Sequence, residues 1–341
     1  MKLLILGGTV FVGRHLVEAA LERGHEVTLF NRGQHNADLY PEVEKLRGDR
    51  DHNDDGGLAP LRGRRWDTVV DTCGYVPRVV RASAELLSDA VDHYAFISTV
   101  SVYKDFTIRN VDEGAPVGTI EDEATETVDG ETYGPLKALC ERAAEESLPG
   151  RVLTVRPGLI VGPHDPTDRF TYWPRRVAQG GDALAPRPPE QLVQFIDARD
   201  LAAWTLRMVE EKRTGVYNAT GPDYPLTLAE TLGACERVSG AGARFVWADA
   251  SFLLEEGVEP WMGLPLWLPV DGDMSGLQEI DCRKAIESGL TFRPLADTVR
   301  DTLTWDATRP KDEGRKAGIS REREAELLRT WRERHQLSRP S

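Results

Sequence analysis

The stretch Lys2–Gly13, KLLILGGTVFVG, constrains this chain more than any other. Leu3–Leu6 is a short apolar run that enters two consecutive glycines, Gly7 and Gly8. Beyond them Val12, Leu16, Val17, Ala20 and Leu21 recur at helical spacing as far as Arg23, and Gly24 supplies a stop. Glu26–Phe30 reads as a second strand. Strand, glycine turn, helix, strand predicts the first βαβ unit of an α/β, Rossmann-type doubly wound parallel sheet. Glycine at positions 7 and 8 lets the backbone turn sharply and approach a pyrophosphate, which the helix N-terminus then meets with free N–H groups. Gly13 lets the helix pack close to the strand. Gly7, Gly8, Thr9, Phe11, Val12 and Gly13 are therefore the candidate phosphate-side residues of a dinucleotide site.

The strands that follow bring polar residues to the same edge, where open α/β sheets bind ligands. The second strand ends in Asn31-Arg32-Gly33, where an NAD site usually carries a carboxylate for the ribose hydroxyls. Asn31 removes that repulsion and Arg32 can pair with a 2′-phosphate, which favours NADP(H) over NAD(H); a solvated surface arginine is the alternative. A weak strand at Val43–Arg47 leads to Gly48-Asp49-Arg50, with Asp49 placed to accept from an adenine amino group and Arg50 beside it. Asp51–Gly57 reads as a surface loop. Thr68–Asp71 is a buried strand that delivers Thr72, Cys73, Gly74 and Tyr75, and Pro77 opens a helix to about Ala90. Tyr94–Ser98 delivers Thr99, Val111–Glu131 reads as a mobile loop, and Tyr133 starts a helix to about Ser147. Arg151–Arg156 is a further strand ended by Pro157 and Gly158, which complete the cofactor side.

The alternation then breaks. Residues 1–162, with 190–221 completing the sheet, form the expected dinucleotide-binding domain; 163–189 and 222–310 form a smaller substrate lobe; 311–341 hold a charged helix with Leu327, Leu328 and Trp331 as its apolar stripe. Tyr75, Phe170, Tyr172 and Trp173 flank strand-end or lobe-entry positions and are candidate substrate contacts.

Composition limits the functions open to such a chain. With 56 acidic against 42 basic residues the formal net charge is −14, which opposes nucleic-acid binding. No apolar run approaches a membrane span, and the first strand starts almost at once, so neither an anchor nor a signal peptide is expected. Cys73, Cys140, Cys235 and Cys282 lie far apart with no metal-ligand spacing. A metal-free, reduced, cytoplasmic protein acting on a small molecule is the expectation.

Thr99, Tyr133 and Lys137 are the candidate catalytic residues. A secondary alcohol loses a proton as hydride leaves, and a ketone gains one as hydride arrives. Tyrosine can serve that exchange if a nearby ammonium favours its phenolate. Lys137 is four residues beyond Tyr133, on one helix face, and can also hold a nicotinamide ribose. Thr99 would bond the substrate oxygen.

These pieces together resemble the extended or atypical short-chain dehydrogenase/reductase family, also called the NAD-dependent epimerase/dehydratase family. The resemblance rests on GGTVFVG (Gly7–Gly13), GDRD (Gly48–Asp51), STVSVY (Ser98–Tyr103), YGPLK (Tyr133–Lys137), RPGLIVGP (Arg156–Pro163), FIDARDLA (Phe195–Ala202), GVYNATG (Gly215–Gly221) and DCRKAIESGLTFRP (Asp281–Pro294). It implies a Rossmann domain, NAD(P), the Thr99–Tyr133–Lys137 site and a homodimer through the two long helices of that domain. Val10 stands where the glycine turn of short-chain dehydrogenases has its middle glycine. Val100 and Ser101 stand where sugar dehydratases of this resemblance carry an acidic pair, which disfavours dehydration. Thr171 stands three before Pro174, where nucleotide-sugar epimerases often have Asn, although Arg169, Arg175 and Arg176 can still meet an anion. The turn also resembles an atypical subgroup that includes chloroplast RNA-binding relatives. Two functions follow: an NAD(P)-dependent oxidoreductase or epimerase, and a non-catalytic cofactor-binding or RNA-associated protein.

Overall fold

The computed structural model describes residues 1–51, 55–310 and 314–337, and the chain divides into two compact units. The first comprises Met1–Ile160, Ile196–Asp223 and Ile280–Phe292. Its seven strands are β1 (Lys2–Leu6), β2 (Glu26–Asn31), β3 (Glu44–Arg47), β4 (Thr68–Asp71), β5 (His93–Ile97), β6 (Val152–Pro157) and β7 (Gly215–Ala219). All pairings are parallel, in the order β7-β6-β5-β4-β1-β2-β3. This is the doubly wound sheet that the βαβ signal predicts. The helices are α1 (Phe11–Glu22), α2 (Pro77–Leu87), α3 (Tyr133–Ser147), α4 (Ala198–Glu210) and the short α5 (Arg283–Glu287).

Both faces of the sheet are covered, so its central strands carry continuous apolar runs, Leu3–Leu6, Val69–Val70 and Tyr94–Ile97, rather than alternating. Leu3 and Ile5 pack with Leu16, Val17, Leu201 and Leu206 on one face. Leu4 and Leu6 pack with Val80, Leu87, Phe96 and Ala144 on the other. Successive residues of β1 thus anchor helices on opposite faces, which fixes the strand register.

Ile280–Phe292, assigned to the lobe by its sequence position, belongs to the first unit. Ala285 and Leu290 join the core there, and Lys284 Nζ donates to Val216 O at 2.6 Å. The stretch 111–131, expected as a mobile loop, is fastened at several points. Gly118 N donates to Val102 O (2.7 Å), Arg78 pairs with Glu126 (2.6 Å), and Asn218 N donates to Glu113 Oε1 (2.8 Å).

The second unit comprises Val161–Phe195, Tyr224–Glu279 and Arg293–Ser341. It holds a parallel two-stranded sheet, Asp182–Pro186 with Arg244–Ala248. Its longer helices are Leu228–Ser239, Leu295–Asp306 and Arg321–Leu337. The first of these starts with a Thr227/Glu230 capping box. The charged terminal helix docks within this unit. Leu327, Leu328 and Trp331 are buried, Trp331 lies 4.9 Å from Phe252, and buried Glu324 pairs with Arg176 at 2.6 Å. Residues 52–54 of the expected Asp51–Gly57 loop and residues 311–313 and 338–341 of the expected terminal segment lie outside the described residues. Among the described residues no helix is long and apolar enough to cross a membrane, and no group of three or more His, Cys, Asp or Glu is placed to hold a metal ion.

Candidate active site

The glycine turn after β1 is shaped by backbone. Gly7 and Gly8 have φ of +105° and +91°, a region in which a side chain is strained. A Cβ on Gly7 would lie 2.4 Å from Thr72 Oγ1, and one on Gly13 would lie 2.8 Å from Gly8 N. The turn is held from outside. Asn31 Nδ2 donates to Gly7 O (2.8 Å), Asn36 Nδ2 to Thr9 O (2.8 Å), and Thr72 Oγ1 to Leu6 O (2.8 Å). Thr9 is buried, Val12 packs on the core, and Phe11 places its ring 6.3 Å from His15. The structure therefore brings Gly7, Gly8, Thr9, Phe11, Val12, Gly13 and Thr72 together around one turn that opens α1. A cradle closed to any Cβ, with the first N–H groups of a helix beside it, fits a dinucleotide pyrophosphate.

At the end of β2 the sequence reading needs revision in detail. Asn31 is committed to the turn, because its Oδ1 also accepts from Gly33 N (3.0 Å) and from Arg47. Arg32 lies 3.8 Å from Asp49, and both are substantially exposed. Arg50, expected on the cofactor side, is buried and engaged by interior groups. Its guanidinium donates to both oxygens of Asp71 (2.7 and 2.8 Å) and to Ser83 Oγ (2.6 Å), while Tyr94 donates to Asp71 Oδ2 (2.8 Å). Burial alone would raise the Asp71 carboxyl, but the Arg50 charge and the hydrogen bonds from Arg50, Tyr94 and Cys73 N together outweigh it and hold the group below the usual carboxylate range. Asp71 has no exposed surface, so this pair lies in the interior beneath the site.

The ends of β4 and β5 and the start of α3 form the other half. Lys137, buried, donates from Nζ to Gly74 O (2.7 Å) and Ile97 O (2.8 Å), so two strand ends hold it. Its ammonium lies 4.2 Å from the Phe96 ring and 5.4 Å from the Tyr75 ring. Burial lowers its pKa to about 8. The Tyr133 ring lies 6.5 Å from that of Tyr75. Thr99 Oγ1 accepts from Ser101 N (3.0 Å), capping the short turn Val100–Val102. Gly134, which sequence reasoning passed over, makes the arrangement possible. A Cβ there would lie 2.1 Å from Ser101 O, so only glycine lets α3 start against the Thr99 turn. The YG pair in Tyr133-Gly134 was the available signal.

Cys73 and Gly74 lie at this strand end, with Cys73 N donating to Asp71 Oδ1 (3.1 Å). Pro157 opposes Ala219 in the β6–β7 register, and a Cβ on Gly158 would lie 2.4 Å from Thr220 Oγ1. Of the four substrate candidates, Tyr75 is 48% exposed. Phe170 and Trp173 have no exposed surface and are engaged inside the second unit. Phe170 lies 5.1 Å from Phe195, and Trp173 Nε1 donates to Pro265 O at 2.6 Å. Tyr172 packs 4.9 Å from Trp173, its hydroxyl buried. Arg176 is likewise taken by Glu324, and Arg175 lies 3.8 Å from Asp306.

The NAD dependent epimerase/dehydratase family model matches residues 3–220, and the chain belongs to that family. A curated relative, the chloroplast stem-loop binding protein of 41 kDa b of Arabidopsis thaliana, is 26% identical over 257 residues. That match covers 70% of this chain and 63% of the relative, so the chain spans less than two thirds of the relative's length. The fold is that of solved epimerases. A UDP-glucuronic acid 4-epimerase from Bacillus cereus, in complex with NAD, has a TM-score of 0.65 at 17% identity, over 92% of this chain and 99% of that one. A human epimerase family protein with NADPH has a TM-score of 0.60 at 20% identity, over 89% and 99% of the two chains.

Proposed function

We propose that this protein is an NAD(P)(H)-dependent oxidoreductase or epimerase that acts at a hydroxyl or ketone carbon of a sugar-like or other small substrate. The observation that carries the reading is the placement of Lys137 between the carbonyls of Gly74 and Ile97, on the helix that begins with Tyr133. The nicotinamide group, when bound, supplies or accepts the hydride. Tyr133 gives its phenolic proton to a ketone oxygen as that oxygen becomes an alcohol, or takes the proton in the reverse direction. An ammonium makes three hydrogen bonds, and two of those of Lys137 go to carbonyls. The third serves a ribose hydroxyl, and the charge favours the Tyr133 phenolate. Thr99 Oγ1 accepts from Ser101 N and keeps its proton to donate to the substrate oxygen. Tyr75, exposed next to Tyr133, borders the substrate. Asn31, a neutral residue beside Arg32, favours NADP(H) over NAD(H).

The Arabidopsis relative brings a second reading, stem-loop binding. A formal net charge of −14 weighs against it, since nucleic-acid binding rests on neutralising phosphates. Calorimetric titration of the purified protein with NADPH, NADH and an RNA stem-loop at fixed salt separates the two. Binding of a dinucleotide, followed by hydride transfer read at the nicotinamide absorbance, supports the enzyme. Stem-loop binding without either dinucleotide overturns it.

A further inference from the structure

The end of β3 places a second guanidinium at the adenosine side of the glycine turn. Arg47 is the register partner of Asn31, the last residue of β2. It donates to Asn31 Oδ1 and, at 3.4 Å, to Ala37 O. A Cβ on Gly33 would lie 3.1 Å from this guanidinium, so the Arg32-Gly33 turn passes directly over it. Arg47 is exposed, and both acceptors are neutral. Among the described residues no carboxylate pairs with it. Arg32 differs, because Asp49 lies 3.8 Å from it and offsets its charge.

We propose that Arg47 is the principal contact for the 2′-phosphate of NADP(H), with Arg32 in a supporting role. This rests on the dinucleotide-binding reading above and adds to it the residue that selects between the two dinucleotides. Arg32 and Asp49 together carry no net charge, and Asn31 carries none, so the uncompensated positive charge at the end of β2 and β3 is that of Arg47. A planar guanidinium meets a phosphate through paired N–H donors, a geometry that lysine lacks. Because Asn31 also holds Gly7, the same bond network aligns the glycine turn with the Arg47 guanidinium.

The test is calorimetric titration of the full chain with NADPH, NADH, adenosine 2′,5′-bisphosphate, 5′-AMP and inorganic phosphate. The variants are Arg47→Ala, Arg47→Lys and Arg47→Gln, the last keeping a donor for Asn31 without the charge. Loss of a charge-assisted bond to phosphate is expected to weaken NADPH and the 2′,5′-bisphosphate by about ten- to a hundred-fold in the Ala and Gln variants. NADH and 5′-AMP should bind each variant as they bind the parent, and Arg47→Lys should fall between. Inorganic phosphate binding as tightly as the bisphosphate would overturn the proposal, since the site would then read a free anion. An unchanged NADPH-to-NADH ratio, or equal loss of both, would also overturn it and leave Arg47 as a support for Asn31. A parent that binds NADH alone overturns this inference while the functional reading stands. A parent that binds neither dinucleotide removes the functional reading itself.

Discussion

The two ends of the candidate site in the first unit are built in opposite ways. At the β1–α1 turn the candidate ligand surface is backbone, kept open by what is missing: Gly7, Gly8 and Gly13 leave no room for a Cβ. At the β4–β5–α3 end the candidate working groups are side chains, and each is fixed by what surrounds it: two carbonyls and an aromatic ring for Lys137, the Ser101 N–H for Thr99. The first end is damaged by adding atoms and the second by removing them. Gly134 breaks that division, because a backbone-only residue sets the position of the side-chain end.

The largest effect is expected at the side-chain end. Tyr133→Phe removes the proton donor and leaves the glycine cradle intact, so single-turnover hydride transfer should fall by roughly 10²–10⁴-fold while dinucleotide affinity holds. Hydride transfer at the parent rate would assign the proton to another group. Next comes the buried support. Arg50→Met leaves the Asp71 carboxylate buried without its partner, which typically costs about 3–5 kcal/mol. Urea unfolding should show that loss. Dinucleotide binding by the folded fraction should stay at the parent level, and a selective loss of binding would restore Arg50 to the cofactor side. Smaller still are the added methyl groups. Gly134→Ala and Gly7→Ala each force a shift of the order of 1–3 kcal/mol. Their readouts should separate: Gly7→Ala weakens dinucleotide binding, whereas Gly134→Ala lowers turnover with binding preserved. Identical profiles would mean that the two ends do not act independently.

The local pattern of the backbone-built end was legible in the sequence, because its strand, glycines and helix are adjacent in the chain. Glycine spacing, strand and helix all fall within Lys2–Phe30. It found Tyr133, Lys137 and Thr99 as residue types but not their fastening. Lys137 bonds carbonyls 63 and 40 residues away, and nothing local announces them. Arg50 shows the cost of proximity as a guide. It adjoins Asp49, yet its partner is Asp71, 21 residues on, at the end of a different strand. Arg47 went unnoticed for the same reason, since its importance comes from a cross-strand register with Asn31. In the second unit, Phe170 and Trp173 carried only an aromatic pattern at a lobe entry. Whether such rings face a ligand or a core is decided by partners such as Phe195 and Pro265, which helical or strand periodicity does not identify.

The subtlest test concerns the charge of Lys137 itself. Burial lowers its pKa from 10.5 to about 8. Below pH 8 the folded and unfolded chains both carry the proton, and the cost of keeping a buried ammonium is fully present. Between about pH 8 and 10.5 the folded protein has released the proton and the unfolded chain still holds it. The unfolded state then binds more protons, so stability rises with pH across that window, by at most about 1.4 kcal/mol per unit. Lys137→Met has no such proton. The difference in urea unfolding free energy between parent and variant, measured at intervals from below pH 8 to about pH 9.5, should therefore shift toward the parent by about 1–2 kcal/mol. Other titrating groups common to both proteins cancel in that difference. A difference that stays flat across the window would mean that the two carbonyls and the Phe96 ring compensate burial fully. Lys137 would then keep its charge through the alkaline range, and its influence on the Tyr133 phenol would not vary with pH there.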